Sequence, residues 1–270
     1  MQTLKFLAPF LVPVAVFFLL YDQETLLFAS AILFVLFFPW LLVRLWACRP
    51  LADKELQERL ERVCETGHFK HAGLLEWGVM KHRLTAAILG LLPAVRYVLF
   101  SQPILTNLSP NALSAVLAHE IGHTYRKHLL IYPFIFFGML LFASTLADAA
   151  PFESELFRLA LWIALATLYF RFVFGFFSRL FERQADLHGL HLGLPLAWML
   201  EALESVALYS KEAFQLPNWH HYSLKERIEF LKKVEIDCTL ALKHHQMTKK
   251  CVTLYFLLLA MICFLLYVVA

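Results

Sequence analysis

Leu117-Ala118-His119-Glu120-Ile121-Gly122-His123 is the stretch from which the rest of the chain can be read. Ser109-Pro110 precedes it, a preferred N-cap followed by a proline at the first helical position. The spacing predicts a helix from there to about His128. Residues four apart share a helical face, so His119 and His123 can both reach one Zn²⁺. Glu120 lies beside them, where it can take a proton from a zinc-activated water. The longer pattern HExxHxxGxxH fails: Arg126 stands in place of its glycine and Leu129 in place of its histidine. His128 is one residue out of step and is expected to point elsewhere.

A third ligand must therefore come from another helix. Downstream lies Ser178-Arg179-Leu180-Phe181-Glu182-Arg183-Gln184-Ala185-Asp186. Glu182 and Asp186 are four apart and share a face, and Ala185 is small enough to let this helix approach the histidine helix. Glu182 is the natural third ligand, and Asp186 suits a carboxylate that orients a ligand histidine. The bland alternative is an ordinary surface carboxylate pair. It fits less well, because Glu182 lies just beyond the end of an apolar run.

That run belongs to a chain of 270 residues, 60% hydrophobic and only 17% charged, with 26 Phe. A soluble domain is about 25% charged, so this composition points to an integral membrane protein. No basic stripe interleaved with aromatics speaks for nucleic acid. About 20 apolar residues make a span. Five candidates follow: Phe6–Tyr21, Thr25–Ala47, Ile131–Ala147, Leu156–Phe177 and Cys251–Val269. The first two read as a hairpin rather than a cleaved signal peptide, since no small-residue cleavage site follows the first apolar run.

Charge orients the spans. Arg44–Lys127 and Arg171–Lys250 hold 11 Lys and Arg each, while Asp22–Glu24 and Asp148–Glu155 hold five acids and no base. Cytoplasmic loops carry the basic excess. Both long polar segments, and the zinc motifs in them, are thus expected on the cytoplasmic side, with the C-terminus outside. Arg158 is the exception, near an outer end where a long side chain can snorkel. None of the five cysteines falls in an outer connection and no CxxC occurs, so a reduced, disulfide-free protein without zinc–thiolate chemistry is expected.

Asp53–Thr66 reads as an amphipathic helix ending at Gly67. Gly67–Arg83 is mixed, and its His68, His71 and His82 read as solvated. Thr85–Leu105 is apolar but broken by Gly90, Pro93 and Pro103. Two short strands fit there, about Ala86–Leu89 and Arg96–Phe100; a re-entrant apolar segment is the alternative. Leu196–Leu208 reads as a core helix, His188 and His191 as surface residues or neighbours of the metal ligands, and the basic run at His244–Lys250 as a topology signal.

LAHEIGH, two hydrophobic spans and then SRxxExxAD resemble the HtpX and CAAX prenyl protease family of membrane zinc metalloendopeptidases. His221-Tyr222-Ser223-Leu224-Lys225-Glu226-Arg227-Ile228 resembles the family's HPxLxxRI segment, with Tyr222 in place of its proline. The resemblance implies a mainly α, polytopic membrane gluzincin with about five transmembrane helices and a small β-sheet beside the HExxH helix. It also implies an edge strand that pairs with substrate, matched weakly by Ala86–Leu89, where Thr85 replaces the usual asparagine. It makes His221 and Arg227 the candidates for stabilising the oxyanion.

The expected organisation is an N-terminal hairpin over 1–50, a zinc peptidase domain over 51–250 with spans at 131–147 and 156–177, and a C-terminal helix over 251–270. The expected activity is hydrolysis of membrane or misfolded proteins by one zinc per chain, with Glu120 as general base, His119, His123 and Glu182 as ligands, and Asp186 behind them. The setting is a membrane, on this reading a bacterial inner membrane, and the partners are peptide substrate and lipid. A sensor protease with a dedicated substrate and a non-catalytic zinc-binding scaffold are the competing readings.

Overall fold

The structure is a computed structural model and describes residues 23–151, 154–210 and 222–269, with 9, 11 and 19 before them. The expected first span, Phe6–Tyr21, otherwise lies outside the described residues. Helix α1 is Glu24–Leu45, followed by β1 (Arg49–Pro50), α2 (Lys54–Thr66), β2 (Gly73–Trp77), β3 (Ala86–Leu89) and β4 (Tyr97–Ser101). Next come α3 (Gln102–Asn107), α4 (Pro110–Tyr125), α5 (His128–Ala149) and α6 (Glu155–Tyr169). A π-helical turn, Phe170–Phe174, leads into α7 (Gly175–Asp186), then α8 (His188–His191), α9 (Leu196–Ser210), α10 (Leu224–Ile236) and α11 (Thr239–Val269). Contacts divide the chain into two compact units, residues 1–121 with 189–211 and residues 122–188 with 212–270.

The first unit is built on a mixed sheet of order β1-β2-β4-β3. β2 and β4 run parallel, and β3 is an antiparallel edge strand. The alternation along β4 explains its central place. Val98 and Phe100 enter a core with Leu60, Val63 and Cys64 of α2 and with Leu113, Leu117 and Ile121 of α4. Leu99, pointing the other way, joins Leu42, Trp46 and Trp77. A strand buried on both faces needs apolar residues at successive positions, and Tyr97-Val98-Leu99-Phe100 provides them. Asp53 caps α2 by accepting from Leu56 N at 3.0 Å, a bond that contributes about 1 kcal/mol. Arg59 of α2 donates to Ser114 Oγ at 3.2 Å and also to Asn111, tying α2 to the first turns of α4.

In the second unit, Ile135 of α5 packs with Phe177, Leu180 and Phe181 of α7, and Tyr255 of α11 lies against them. Among the described residues, three helical stretches are long and apolar enough to cross a membrane: His128–Ala149, Glu155–His191 and Thr239–Val268. Their outward residues include Phe134, Phe137, Leu159, Ile163, Leu257 and Leu265, all exposed. Side chains of this kind along such lengths belong in lipid, so the chain is an integral membrane protein. Arg158, near the expected outer end, pairs with Glu155 one turn away.

Several helix boundaries differ from those expected from the sequence. α4 ends at Tyr125, because Lys127 adopts a left-handed conformation (φ 62°) and His128 opens α5. α6 does not stop before the SRLFERQAD stretch but continues through the π-helical turn into α7. α11 starts twelve residues before the expected C-terminal span, at Thr239.

Candidate active site

α4 begins at the expected cap, where Ala112 N donates to Ser109 Oγ at 3.1 Å. It is one unbroken helix, although the division into units falls within it. Toward its C-terminal end a close approach is built from small residues. A Cβ placed on Gly122 would lie 2.8 Å from His188 Cβ and 3.0 Å from Ala185 Cα. Only glycine fits there, and Ala185 is the small residue it meets on α7.

That approach brings Glu182 to His123. Glu182 Oε1 lies 3.4 Å from His123 Nε2, with only 10% of the glutamate side chain and 13% of the histidine side chain exposed. His119 is held one turn earlier on the same helix. His119, His123 and Glu182 each offer one ligand atom, and the three atoms lie within 4.8 Å of one another. Two imidazoles and a carboxylate at this spacing fit a zinc ion with a coordination position left for water or substrate. Glu120 follows His119 on α4 and is half-buried.

The ring of His123 is held from behind. His123 Nδ1 lies 3.1 Å from His128 Nδ1, and His128 Nε2 lies 3.0 Å from Gln184 Oε1. An amide oxygen only accepts, so His128 donates Nε2–H to Gln184 and its Nδ1 is an acceptor. His123 then donates Nδ1–H to it, which leaves the Nε2 lone pair facing Glu182. This is the tautomer a metal ligand needs. His128 is itself fixed, stacked on Phe181 with ring centroids 4.2 Å apart. Gln184 Nε2 continues the chain to His245 Nδ1 at 3.0 Å.

His128, expected to point away, thus turns back onto a ligand histidine. The break at Lys127 makes this possible, since it restarts the helix with His128 in a new direction. Ligand spacing had no place for His128 or for Gln184, which enters from a different helix. The nearest signal was Gln184's position, two residues after Glu182.

Asp186 is 1% exposed. It accepts from Arg227, whose Nε lies 2.8 Å from Asp186 Oδ2 and whose second bond reaches Oδ1. Arg227 Nη2 also lies 3.9 Å from Glu182 Oε2. The structure therefore brings Arg227, Asp186 and Glu182 together, with a guanidinium beside the buried carboxylates. Arg227 sits on α10, whose start is fixed by a capping box between Ser223 and Glu226. These hydrogen bonds hold the Glu226 carboxyl below its usual range. His221 lies outside the described residues.

The sequence model of Peptidase family M48 matches residues 50–235, more than half of the chain. The chain belongs to peptidase family M48. Its three motifs in order, LAHEIGH, SRLFERQAD and the segment from His221 to Ile228, all fall inside the matched residues. The fold is similar to the crystal structure of S. mikatae Ste24p, with a TM-score of 0.59 at 19% identity. The similarity covers 82% of this chain and 61% of that one, so this chain spans less than two thirds of the Ste24p structure. No curated protein matches it by sequence.

Proposed function

We propose that this M48 protein is a membrane zinc endopeptidase that cleaves membrane or misfolded proteins on the cytoplasmic side. The observation that carries the reading is the buried Glu182 carboxylate set against His123 Nε2, on a helix continuous with an apolar span.

His119, His123 and Glu182 would hold the zinc. When bound, it would supply Lewis acidity, polarising a peptide carbonyl and making water a stronger acid. Glu120 takes the proton of the attacking water and later passes it to the leaving amine. His128 and Gln184 keep the ring of His123 in its ligating tautomer. Arg227, steadied by Asp186, offers charge-assisted donors to a developing oxyanion, and the resemblance adds His221 to that role. The edge strand β3 offers unpaired backbone groups to an extended substrate, which would bind as an added strand. The two basic segments of 11 Lys and Arg each support the cytoplasmic side for this chemistry.

The test compares membrane-protein fragments in cells producing the wild type and cells producing Glu120→Gln at equal levels. Fragments present with the wild type and absent with the variant are the expected result. Identical fragment patterns would favour the zinc-binding scaffold.

A further inference from the structure

A second cluster of ligand-type side chains lies in the first unit, among residues that belong to none of the motifs above. Glu61 and Cys64 are three apart on α2 and share a face. Beyond Gly67 the chain reverses. His68 takes a left-handed conformation (φ 48°), and Phe69 N donates to Cys64 O at 2.8 Å. Phe69 is buried, with the Arg96 guanidinium over its ring at 5.2 Å, and Ala72 N donates to Arg96 O at 2.6 Å. The loop is thus pinned at both ends, and it carries His71 back over α2.

The result is compact. Glu61, Cys64 and His71 each offer a ligand atom, all within 4.8 Å of one another. His71 Nε2 lies 3.0 Å from Glu61 Oε2. The His71 side chain is only 9% exposed, and its Nδ1 is buried without a hydrogen-bond partner among the described residues. A buried ring nitrogen left without a partner is uncommon and costly in a protein interior. The nitrogen that can share an ion with Glu61 is Nε2, which faces the carboxylate, with Nδ1 carrying the proton on the far edge of the ring. The cluster lines a cavity of about 900 Å³, together with Glu65 and His68.

We propose that Glu61, Cys64 and His71 form a second metal site, binding a zinc-class divalent ion through sulfur, nitrogen and oxygen. The donor set decides the class. Calcium and magnesium take oxygen ligands, whereas a thiolate with an imidazole selects zinc and its neighbours. Three protein ligands in a cavity leave a position for water or for Glu65. From the sequence alone these histidines are expected to be solvated, and zinc–thiolate chemistry is not expected. The spacing Glu61-x2-Cys64-x6-His71 forms no familiar motif, because the site depends on the reversal at His68. The proposal is independent of the proteolytic reading.

Cobalt provides the test. The full chain, purified in detergent and stripped with chelator, is titrated with Co²⁺ alone. A thiolate-to-cobalt charge-transfer band in the near ultraviolet reports Cys64, because His119, His123 and Glu182 bring no sulfur. The band is expected in the wild type and lost in Cys64→Ser. His71→Gln, which keeps the thiol, is expected to weaken Co²⁺ binding at this band at least tenfold. It decides the matter should the serine variant fold poorly. Zinc content measured by mass spectrometry is expected to fall by one equivalent per chain in either variant. Absence of the band from the wild type, its survival in Cys64→Ser, or unchanged zinc content in folded variants would overturn the second site.

Discussion

The two histidine clusters of this protein are built in opposite ways. His119 and His123 sit one turn apart on a single helix, and the partners of His123 arrive from α7 and from the start of α5. The Glu61, Cys64 and His71 cluster has two members on a helix and a third delivered by a chain reversal. In the first, helical periodicity writes the ligand pair into the sequence as a five-residue word. In the second, a left-handed residue and a pinned loop do the positioning, and no word results. The first is also backed by a chain of hydrogen bonds through His128 and Gln184, whereas the second holds a buried nitrogen with no hydrogen-bond partner among the described residues. A site on one rigid element can be read from spacing, and a site that needs a turn cannot.

The largest expected effect separates chemistry from metal binding at the first cluster. Glu120→Gln should lower kcat by about 10²–10⁴, the range for losing a general base, with bound zinc unchanged by mass spectrometry. Next comes the support behind the ligands. Gln184→Leu removes the acceptor that sets the His128 tautomer, and zinc affinity measured by chelator competition should fall about 10–100-fold. An unchanged affinity would mean that the first cluster is no better supported than the second. Gly122→Ala probes the close approach that brings α7 to α4. The added methyl would meet His188 and Ala185, so overpacking should cost about 1–3 kcal/mol of stability in thermal melts and slow proteolysis as well.

Two smaller effects concern the second cluster and the helix that carries Arg227. Burial and the neighbouring Glu61 and Glu65 push the Cys64 thiol up to about 12, so metal-free protein should resist alkylation there at neutral pH, as mass mapping would show. Rapid modification of Cys64 would mean that the cluster is open and poorly formed. The Glu226 carboxyl is depressed by its cap bonds to Ser223. A depressed carboxyl stabilises the fold above its unfolded pKa and loses that contribution as pH falls through its folded value. The protection of amides in the first turn of α10, taken relative to their intrinsic exchange rates, should therefore fall on acidification below about pH 4.5, and less so in Glu226→Gln. The change is small because this carboxylate is mostly solvated.

Much of the architecture was legible in the sequence for the same reason the first cluster was. α2 with its Gly67 stop, the edge strand Ala86–Leu89, the cap at Ser109 and the helix at Leu196 all follow from local period and capping residues. β4 starts at Tyr97, one residue after the expected Arg96. β2 leaves no signal in the sequence, because Gly73-Leu74-Leu75-Glu76-Trp77 has no clean alternation and owes its place to pairing with β4. The continuity of α6 and α7 was hidden by the change from apolar to polar residues at Ser178, which marks a change of surroundings rather than a helix end. His244 likewise read as part of a basic run, but its Nε2 lies 3.1 Å from Leu180 O and its side chain is buried. Long-range partners of this kind leave no local period to detect.

The central claim is that His119, His123 and Glu182 hold a zinc ion that serves proteolysis with Glu120 as base. The most direct measurement uses the purified full chain in detergent and an unfolded membrane protein as substrate. Cleavage should stop on chelation, return when zinc is added back, and be absent from Glu120→Gln that still binds zinc at the first cluster. Cleavage by zinc-loaded Glu120→Gln at the wild-type rate, or by wild type freed of metal, would contradict the account.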